Sequence, residues 1–264
     1  MKFTISIIAA SLTAVVAGNP VQARVDTITT RAANGTTNCT TALPVNYGAL
    51  IFNGLDMIDI WGPLDVLQLN AHAYNMNVHL IAPTMDPIIA GVVNASDPTL
   101  NKFGSNFWPV IQPTATFADD LDLDVLIVPG GPGVRAAGLE PIVEYIKETY
   151  PKVKYLITIC TGASLAARAG VLDGKRATTN KRAWAQMTAF GPKVNWVAPA
   201  RYVIDGNIWS SSGVTSSLDL TYAFVAEVYG QNQSTLIANT MEHTPLAADD
   251  DVFTDIWSVP HTNN

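Results

Sequence analysis

Short apolar runs alternate with helix-like patterns along the chain from residue 47 onward. Continuous or alternating apolar runs indicate buried strands, whereas apolar residues at helical spacing indicate amphipathic helices. The runs predict strands at residues 47–52, 77–82, 124–128, 153–159, 176–179 and 194–198. The helix-like patterns predict helices at residues 63–73, 139–150 and 161–169, near Lys181, and from Thr215 or Ser216 onward. This β-α-β alternation predicts an α/β fold, a parallel-sheet sandwich with helices on both faces.

Two segments are predicted to add antiparallel pairs to the parallel strands. Residues 88–117 contain scattered Pro, Gly and Asn between short β-like runs. This pattern is typical of a connecting segment that contains a β-hairpin and leaves the parallel core. Residues 202–210 contain Asp205-Gly206-Asn207, a sequence typical of a hairpin turn. Because ligands bind beyond the carboxyl ends of the strands in parallel α/β sheets, site residues are expected at those ends.

The first residues have the pattern of a targeting segment. Lys2 precedes an apolar run at residues 5–16, and the small residues Ala17 and Gly18 follow. This order matches a signal peptide, so residues 1–18 are expected to be removed and the protein to be secreted. The run is short for a membrane span, and a retained signal anchor is the alternative. We expect no membrane association after the leader is removed.

The rest of the chain is predicted to form three parts. Residues 19–44 are a polar N-terminal arm, residues 45–245 the α/β domain, and residues 246–264 a C-terminal tail. N-x-Ser/Thr sequons provide candidate glycosylation sites at Asn34, Asn38, Asn94 and Asn232.

Composition narrows the classes of function. The formal net charge is −7, so an acidic surface would repel phosphates, and no nucleic-acid partner is expected. Only two cysteines are present, Cys39 and Cys160, so the hydrophobic core rather than a disulfide framework must supply stability. A Cys39–Cys160 disulfide is the alternative to a free thiol at Cys160.

Cys160 stands where a buried strand meets a helix. The small residues that follow, Thr161-Gly162-Ala163-Ser164, permit a sharp turn, so a nucleophile elbow is predicted at Cys160. A helix N-terminus presents unpaired N–H groups and the positive end of the dipole, which favour a thiolate. A reactive thiol is therefore predicted, and a small buried hydrophobe is the alternative.

A glycine-rich turn, Pro129-Gly130-Gly131-Pro132-Gly133, follows the preceding buried strand. If the two strands are neighbours, the N–H groups of Gly130 and Gly131 can donate to an anion that develops at the thiol. A simple connection is the alternative. The turn lacks the spacing and the Lys of a phosphate-binding loop, so no nucleotide binding is predicted.

Carboxylates after the first strand are the best-placed proton partners for the thiol. Asp56, Asp59 and Asp65 bracket Trp61-Gly62-Pro63, and Asp59 stands just before the predicted helix. A helix-capping role is the alternative for Asp59.

Other site chemistries have little support in the sequence. The chain has four histidines, His72, His79, His243 and His261. None of them lies in a strand-end turn near Cys160 in the predicted topology, so a Cys-His dyad is disfavoured. No His, Cys and acidic cluster has ligand spacing, so neither a metal nor another cofactor is predicted. The G-x-S-x-G elbow of serine hydrolases is also missing.

Four motifs occur in an order that is typical of one superfamily. They are Ile58-Asp59-Ile60-Trp61-Gly62-Pro63, Val128-Pro129-Gly130-Gly131, Ile159-Cys160-Thr161-Gly162-Ala163 with Ala169-Gly170-Val171-Leu172-Asp173-Gly174, and Ser212-Gly213-Val214-Thr215. Together they resemble the ThiJ/PfpI superfamily, with its class I glutamine amidotransferase-like fold, and within it the branch that contains isocyanide hydratase. The resemblance implies a flavodoxin-like fold and, because members are commonly dimers, a homodimer.

The resemblance also implies roles for individual residues. Cys160 is implied as the nucleophile, Asp59 as its acid/base partner and Thr161 as a further residue of the site. The backbone of Gly130 and Gly131 is implied as an anion-stabilising wall. The implied reaction converts a small-molecule isocyanide to an N-substituted formamide through a thioimidate on Cys160, with no cofactor.

The chain departs from the branch in one motif. Many members have Thr-Thr-His-Trp where this chain has Thr178-Thr179-Asn180-Lys181, so the pocket wall and the substrate are expected to differ. Glyoxalase and deglycase members usually pair their cysteine with a glutamate, so Asp59 argues against a glyoxalase-like activity, which stays as one alternative. The other alternative is a secreted binding or redox-responsive protein without turnover, since thiols outside the cell face oxidation.

Overall fold

The computed structural model describes residues 28–29, 40–91 and 101–262. The chain divides into two units, Met1–Thr41 and Ala42–Asn264. In the first unit, Ile28–Thr29 pairs antiparallel with Thr40–Thr41. Some predictions fall outside the described residues: the signal peptide, most of the N-terminal arm, Cys39, Asn34, Asn38 and Asn94. Among the helices that are described, none combines the length and hydrophobicity needed to cross a bilayer.

The second unit alternates strands and helices along the chain. Its strands are β1 (Asn46–Leu50), β2 (Asn77–Ala82), β3 (Ile88–Ile89), β4 (Val110–Ile111), β5 (Ala115–Thr116), β6 (Val125–Val128), β7 (Tyr155–Ile159), β8 (Arg176–Ala177), β9 (Asn195–Trp196), β10 (Tyr202–Asp205) and β11 (Ile208–Ser211). Its helices are α1 (Met57–Asn70), α2 (Glu140–Thr149), α3 (Ala163–Arg168), α4 (Trp184–Thr188), α5 (Ser216–Tyr229), α6 (Gln231–Thr240) and α7 (Phe253–Ile256).

The central sheet has seven strands in the order β10-β11-β7-β6-β1-β2-β5. Every neighbouring pair is parallel except β10 and β11, which form the hairpin predicted around Asp205-Gly206-Asn207. The short strands β3 and β4 pair antiparallel outside this sheet, which confirms the hairpin predicted within residues 88–117. The predicted α/β fold with a mostly parallel sheet is therefore confirmed.

Helices cover both faces of the sheet. All four residues of β6 are buried, and successive strand residues point to opposite faces, so neither face of this strand is open to solvent. Helix α1 packs with α5 and α6, whereas α2 packs with α3. On α5, Phe224 contacts the ring edges of Tyr155 and Trp209 at centroid distances of 5.2 and 5.3 Å. The core thus fixes the strand ends on which the site is built.

The first helix begins earlier than the sequence pattern predicts. Helix α1 starts at Met57 rather than residue 63, and Pro63 lies inside it. Asp56 is the N-cap, since its Oδ1 accepts a hydrogen bond from the Ile58 N–H at 3.1 Å. An internal proline removes one backbone hydrogen bond and crowds the preceding turn, so the cap and the packing of α1 must offset this cost.

Two helices near the C-terminus have no counterpart in the sequence prediction. Helix α6 has a mostly polar sequence and buries only Ser234, Ile237 and Ala238, so its helical periodicity is weak. Helix α7 is a single turn. The candidate glycosylation site Asn232 is exposed in the first turn of α6.

Asp124 joins the starts of three neighbouring strands. Its Oδ2 accepts hydrogen bonds from the N–H groups of Val45 at 2.6 Å and Asn46 at 3.0 Å, and its Oδ1 pairs with Lys154 Nζ at 2.8 Å. Partial burial alone would raise the pKa of Asp124. The hydrogen bonds from Lys154, Asn46 and Val45 outweigh it and hold the pKa below its ordinary value.

We expect Asp124→Asn to lower the free energy of unfolding by about 1–3 kcal/mol at neutral pH, because charge-assisted hydrogen bonds are lost. Since the folded-state pKa lies below the unfolded value of about 4, this stability is present above about pH 4. It is lost as the pH falls through the folded-state pKa. Urea unfolding of both proteins at pH 7 and pH 3 measures the effect, and an equal difference at the two pH values would contradict it.

Candidate active site

Cys160 lies at a sharp turn at the carboxyl end of β7. Its φ is 56°, in the left-handed region, and the turn Cys160–Gly162 leads directly into α3. Such a conformation is strained for a residue with a Cβ and persists only where its surroundings hold it. Here Thr179 Oγ1 donates a hydrogen bond to the Cys160 carbonyl at 2.9 Å. The predicted nucleophile elbow is therefore present, and Cys160 is a free thiol.

The turn after β6 approaches this elbow very closely. A Cβ at Gly130 would lie 2.5 Å from Thr161 Oγ1 and 2.6 Å from the Thr161 nitrogen, so only glycine fits there. The N–H of Gly131 donates to Thr161 Oγ1 at 2.9 Å. The two strand ends are thus neighbours, as the sequence predicts, and Thr161 connects them.

Asp59 lies beside the thiol in the first turn of α1 and is fully buried. Its Oδ2 accepts a hydrogen bond from the N–H of Gly130 at 2.8 Å. Its Oδ1 has no well-aligned donor among the residues that the structure describes. The sequence placed Asp59 just before the helix, and this is wrong. The capping alternative is also wrong, because Asp56 is the cap.

Burial sets the protonation of the thiol and the carboxyl. Burial raises the pKa of Cys160, and the nearby charge of Asp59 raises it further. Hydrogen bonds from the Thr161 backbone and the Asn180 side chain act in the opposite direction and lower this pKa. Burial also raises the pKa of Asp59 well above its ordinary value. The charge of Asp56 adds to this, while hydrogen bonds with Gly130 and Cys160 oppose it. Because each negative charge disfavours the other, the pair retains a proton.

Burial therefore favours the protonated thiol, whereas the sequence predicts a thiolate. That expectation rested on the helix that follows Cys160. Helix α3 has only six residues, and the stabilisation that its N-terminus gives an anion is smaller than the cost of burying a charge.

The backbone of the glycine turn has a different task from the anion-stabilising wall that the resemblance implies. The N–H of Gly130 is bonded to Asp59, and the N–H of Gly131 is bonded to Thr161. Neither group is free to bind an anion in this structure. The turn instead positions the acid and the threonine of the site.

Asn180 contacts the sulfur directly, which the sequence did not predict. Its Nδ2 donates to Cys160 Sγ at 3.3 Å, and its Oδ1 accepts from the N–H of Ala183 at 3.1 Å. The second bond orients the amide so that the NH₂ group faces the sulfur. The departure of residues 178–181 from the branch pattern marked this part of the pocket wall, but only the fold shows the contact.

The next residue, Lys181, anchors this wall to the C-terminal segment. Its Nζ lies 2.8 Å from the Ala200 carbonyl, 3.0 Å from Thr178 Oγ1 and 3.3 Å from Asp251 Oδ2. Burial lowers the pKa of Lys181 to about 8, although the Asp251 carboxylate opposes the shift. A residue from the predicted tail therefore holds the segment that carries Asn180.

An open cavity of about 540 Å³ gives access to Cys160 and Thr161. Its walls come from the cap of α1, the turn after β6, the elbow, residues 180–186 and the loop before α5. None of the four histidines lines it, and Asp65 lines a different cavity along α1. Within the described residues, no group of three or more His, Cys, Asp and Glu side chains is arranged to hold a metal ion.

Known proteins are similar to this chain in sequence. The chain is 29% identical to isonitrile hydratase of Pseudomonas putida over 204 residues, which are 77% of this chain and 80% of that protein. It is 36% identical to a deglycase of Pyrococcus abyssi over 107 residues, which are 40% of this chain and 60% of that protein.

The fold has solved relatives as well. The crystal structure of a ThiJ/PfpI family protein from Pseudomonas syringae has a TM-score of 0.64 and 23% identity, over 83% of this chain and 84% of that chain. The model of the DJ-1/PfpI family matches residues 49–227, a range that contains Asp59, the glycine turn and Cys160. The chain therefore belongs to the DJ-1/PfpI family.

Proposed function

We propose that this protein is a cysteine enzyme that hydrates isocyanides to N-substituted formamides, with Cys160 as nucleophile and Asp59 as acid/base. One observation carries the proposal: the thiol of Cys160 faces an open cavity and lies beside the buried carboxyl of Asp59, and burial raises the pKa of both groups. The similarity to isonitrile hydratase over most of both chains supports the choice of substrate class. No cofactor takes part in the proposed reaction.

In the first step, Sγ of Cys160 attacks the terminal carbon of the isocyanide, R–N≡C. The thiol proton passes to Asp59 and from Asp59 to the same carbon, so the product is the thioimidate R–N=CH–S–Cys160. A base next to the thiol is needed because the thiol is protonated at rest. The unpartnered Oδ1 of Asp59 is the acceptor that the geometry offers.

In the second step, water adds across the C=N bond. Asp59 takes a proton from the water and returns it to the nitrogen, which gives a tetrahedral carbon that bears OH, S, H and NHR. The C–S bond then breaks, the hydroxyl proton returns to the sulfur through Asp59, and the formamide R–NH–CHO leaves. The sum is one isocyanide and one water for one formamide, and both residues end as they began.

Asn180 assists both the formation and the departure of the sulfur anion. Its Nδ2–H hydrogen bond stabilises negative charge on Sγ, and it opposes the effect of burial on the thiol pKa. The N–H of Gly130 stabilises negative charge on Asp59 in the same way, and its hydrogen bond opposes the effect of burial on the pKa of this carboxyl.

Two features of the site support this function over the two alternatives. Redox-sensing cysteines are solvent-accessible and have a low pKa, whereas Cys160 is buried and burial raises its pKa. Glyoxalase-like members usually pair their cysteine with a glutamate, whereas Asp59 occupies this position here. Lactate formation from methylglyoxal is a direct assay for the glyoxalase alternative.

Cys160→Ala and Cys160→Ser are each expected to lower formamide production by about 10³-fold or more, because the covalent intermediate cannot form. Chromatographic quantification of the formamide from a panel of isocyanides measures the effect. Circular dichroism of both variants provides the control for folding. Retained turnover by either folded variant would refute the proposal.

Asp59→Asn is expected to separate activity from stability. The rate should fall by about 10²–10⁴-fold because the proton carrier is lost. The folded-state pKa of Asp59 is raised. The contribution of Asp59 to the free energy of unfolding is therefore fully present below the unfolded pKa of about 4, and it is lost as the pH rises through the folded-state pKa. At pH 7 the variant should therefore be at least as stable as the wild type, measured by urea unfolding. A variant that is both active and destabilised would contradict the role.

Asn180→Ala is expected to slow the alkylation of Cys160 by iodoacetamide at neutral pH by about tenfold, because one hydrogen bond to the thiolate is lost. The pH at which alkylation accelerates should move upward. Gln186→Ala is the matched control, since Gln186 lines the same cavity and contacts Arg135 instead of the sulfur. An unchanged pH profile in Asn180→Ala would exclude the proposed contact.

A further inference from the structure

Two arginines line the cavity above Cys160 without an acidic partner. Arg135 and Arg182 both belong to its wall, and neither forms a salt bridge within the described part of the chain. The chain as a whole has a formal net charge of −7. Two arginines without an acidic partner therefore give this cavity wall a charge opposite in sign to that of the whole chain. A cleft with excess positive charge concentrates small anions.

Both guanidinium groups are held by neutral neighbours. Arg135 donates from Nε to Gln186 Oε1 at 2.8 Å, which leaves its terminal N–H groups without a partner among the described residues. Arg182 lies over the ring of Trp257, 5.8 Å from the ring centre. Neutral neighbours restrict the two side chains but do not cancel their charge, so an incoming anion meets positioned donors.

The rest of the cavity wall is suited to a small ligand that has one negatively charged end and an apolar remainder. Asp56 is the only carboxylate that the described residues place in the wall, and its Oδ1 is occupied as the cap of α1. Small apolar side chains complete the surface: Pro132, Ala183, Ala185 and Val214. Arg135 and Arg182 are exposed, whereas Cys160 is buried, so the positive charges lie at the rim and the sulfur at the floor.

We propose that the substrate is a small isocyanide that carries a carboxylate, which Arg135 and Arg182 bind at the rim while the isocyano carbon lies at Cys160. Guanidinium groups pair with carboxylates through parallel charge-assisted hydrogen bonds, which fixes the orientation of the ligand. The rim keeps the carboxylate away from buried Asp59, whose proton transfer a second negative charge would disturb. This inference rests on the proposed function and specifies its substrate class.

The test compares ω-isocyano carboxylates of increasing length with their methyl esters. Wild-type kcat/KM is expected to favour the acids by about 10- to 100-fold at the best length, and the double variant Arg135→Gln/Arg182→Gln should abolish this preference. The loss should appear mainly as a higher KM for the acids, with the esters unaffected. Arg176→Gln is the matched control, because Arg176 is exposed and lines a different cavity. Equal use of acids and esters by the wild type would overturn the inference.

A binding measurement separates this inference from the proposed function. N-formylglycine and its methyl ester stand in for the products, and calorimetry measures their binding to Cys160→Ser with and without the two arginine substitutions. If no isocyanide is hydrated but N-formylglycine binds in an arginine-dependent way, the hydratase function fails and the carboxylate site stands. If esters and acids are hydrated equally and N-formylglycine does not bind, the function stands and the carboxylate site is refuted. If neither turnover nor binding occurs, both proposals are refuted.

Discussion

Three backbone segments meet around the sulfur: the loop before α1, the turn after β6 and the elbow after β7. The N–H of Asp56 donates to the Gly130 carbonyl at 2.9 Å, and the N–H of Gly133 donates to the Gly54 carbonyl at 2.9 Å. On its other side the turn presses against the elbow so closely that Gly130 cannot carry a Cβ. This contact sets the separation between a carboxyl and a thiol that lie about a hundred residues apart in sequence, so the chemistry of the pair depends on it.

The second constraint is the burial of the pair. Asp59 is fully buried and Cys160 nearly so, and burial is the largest influence on the pKa of each group. The consequence is that the environment of the pair favours the neutral form of the sulfur. In the proposed reaction the thiol becomes a nucleophile only when its proton passes to Asp59.

The local signals in the sequence predict the elbow and every strand of the central sheet except β5, which lies in the segment assigned to a hairpin. Strands β1, β2, β6 and β7 are apolar runs with clear ends, and the four ordered motifs located Asp59 and Cys160. The start of α1 was misplaced because proline at residue 63 was a stronger local signal than the cap at Asp56. The contact of Asn180 with sulfur and the bridge between Lys181 and Asp251 join residues that are distant in sequence, so no periodicity could reveal them.

The ion pair of Lys181 and Asp251 joins the C-terminal segment, residues 246–264, to the wall of the pocket. Removing the final segment would leave an ammonium group in the protein interior with no counter-charge, one residue from the amide that faces the sulfur. Trp257, which supports Arg182, would be lost with it. Loss of the segment that carries Asp251 and Trp257 would therefore act on the pocket itself, although the central strands would be untouched.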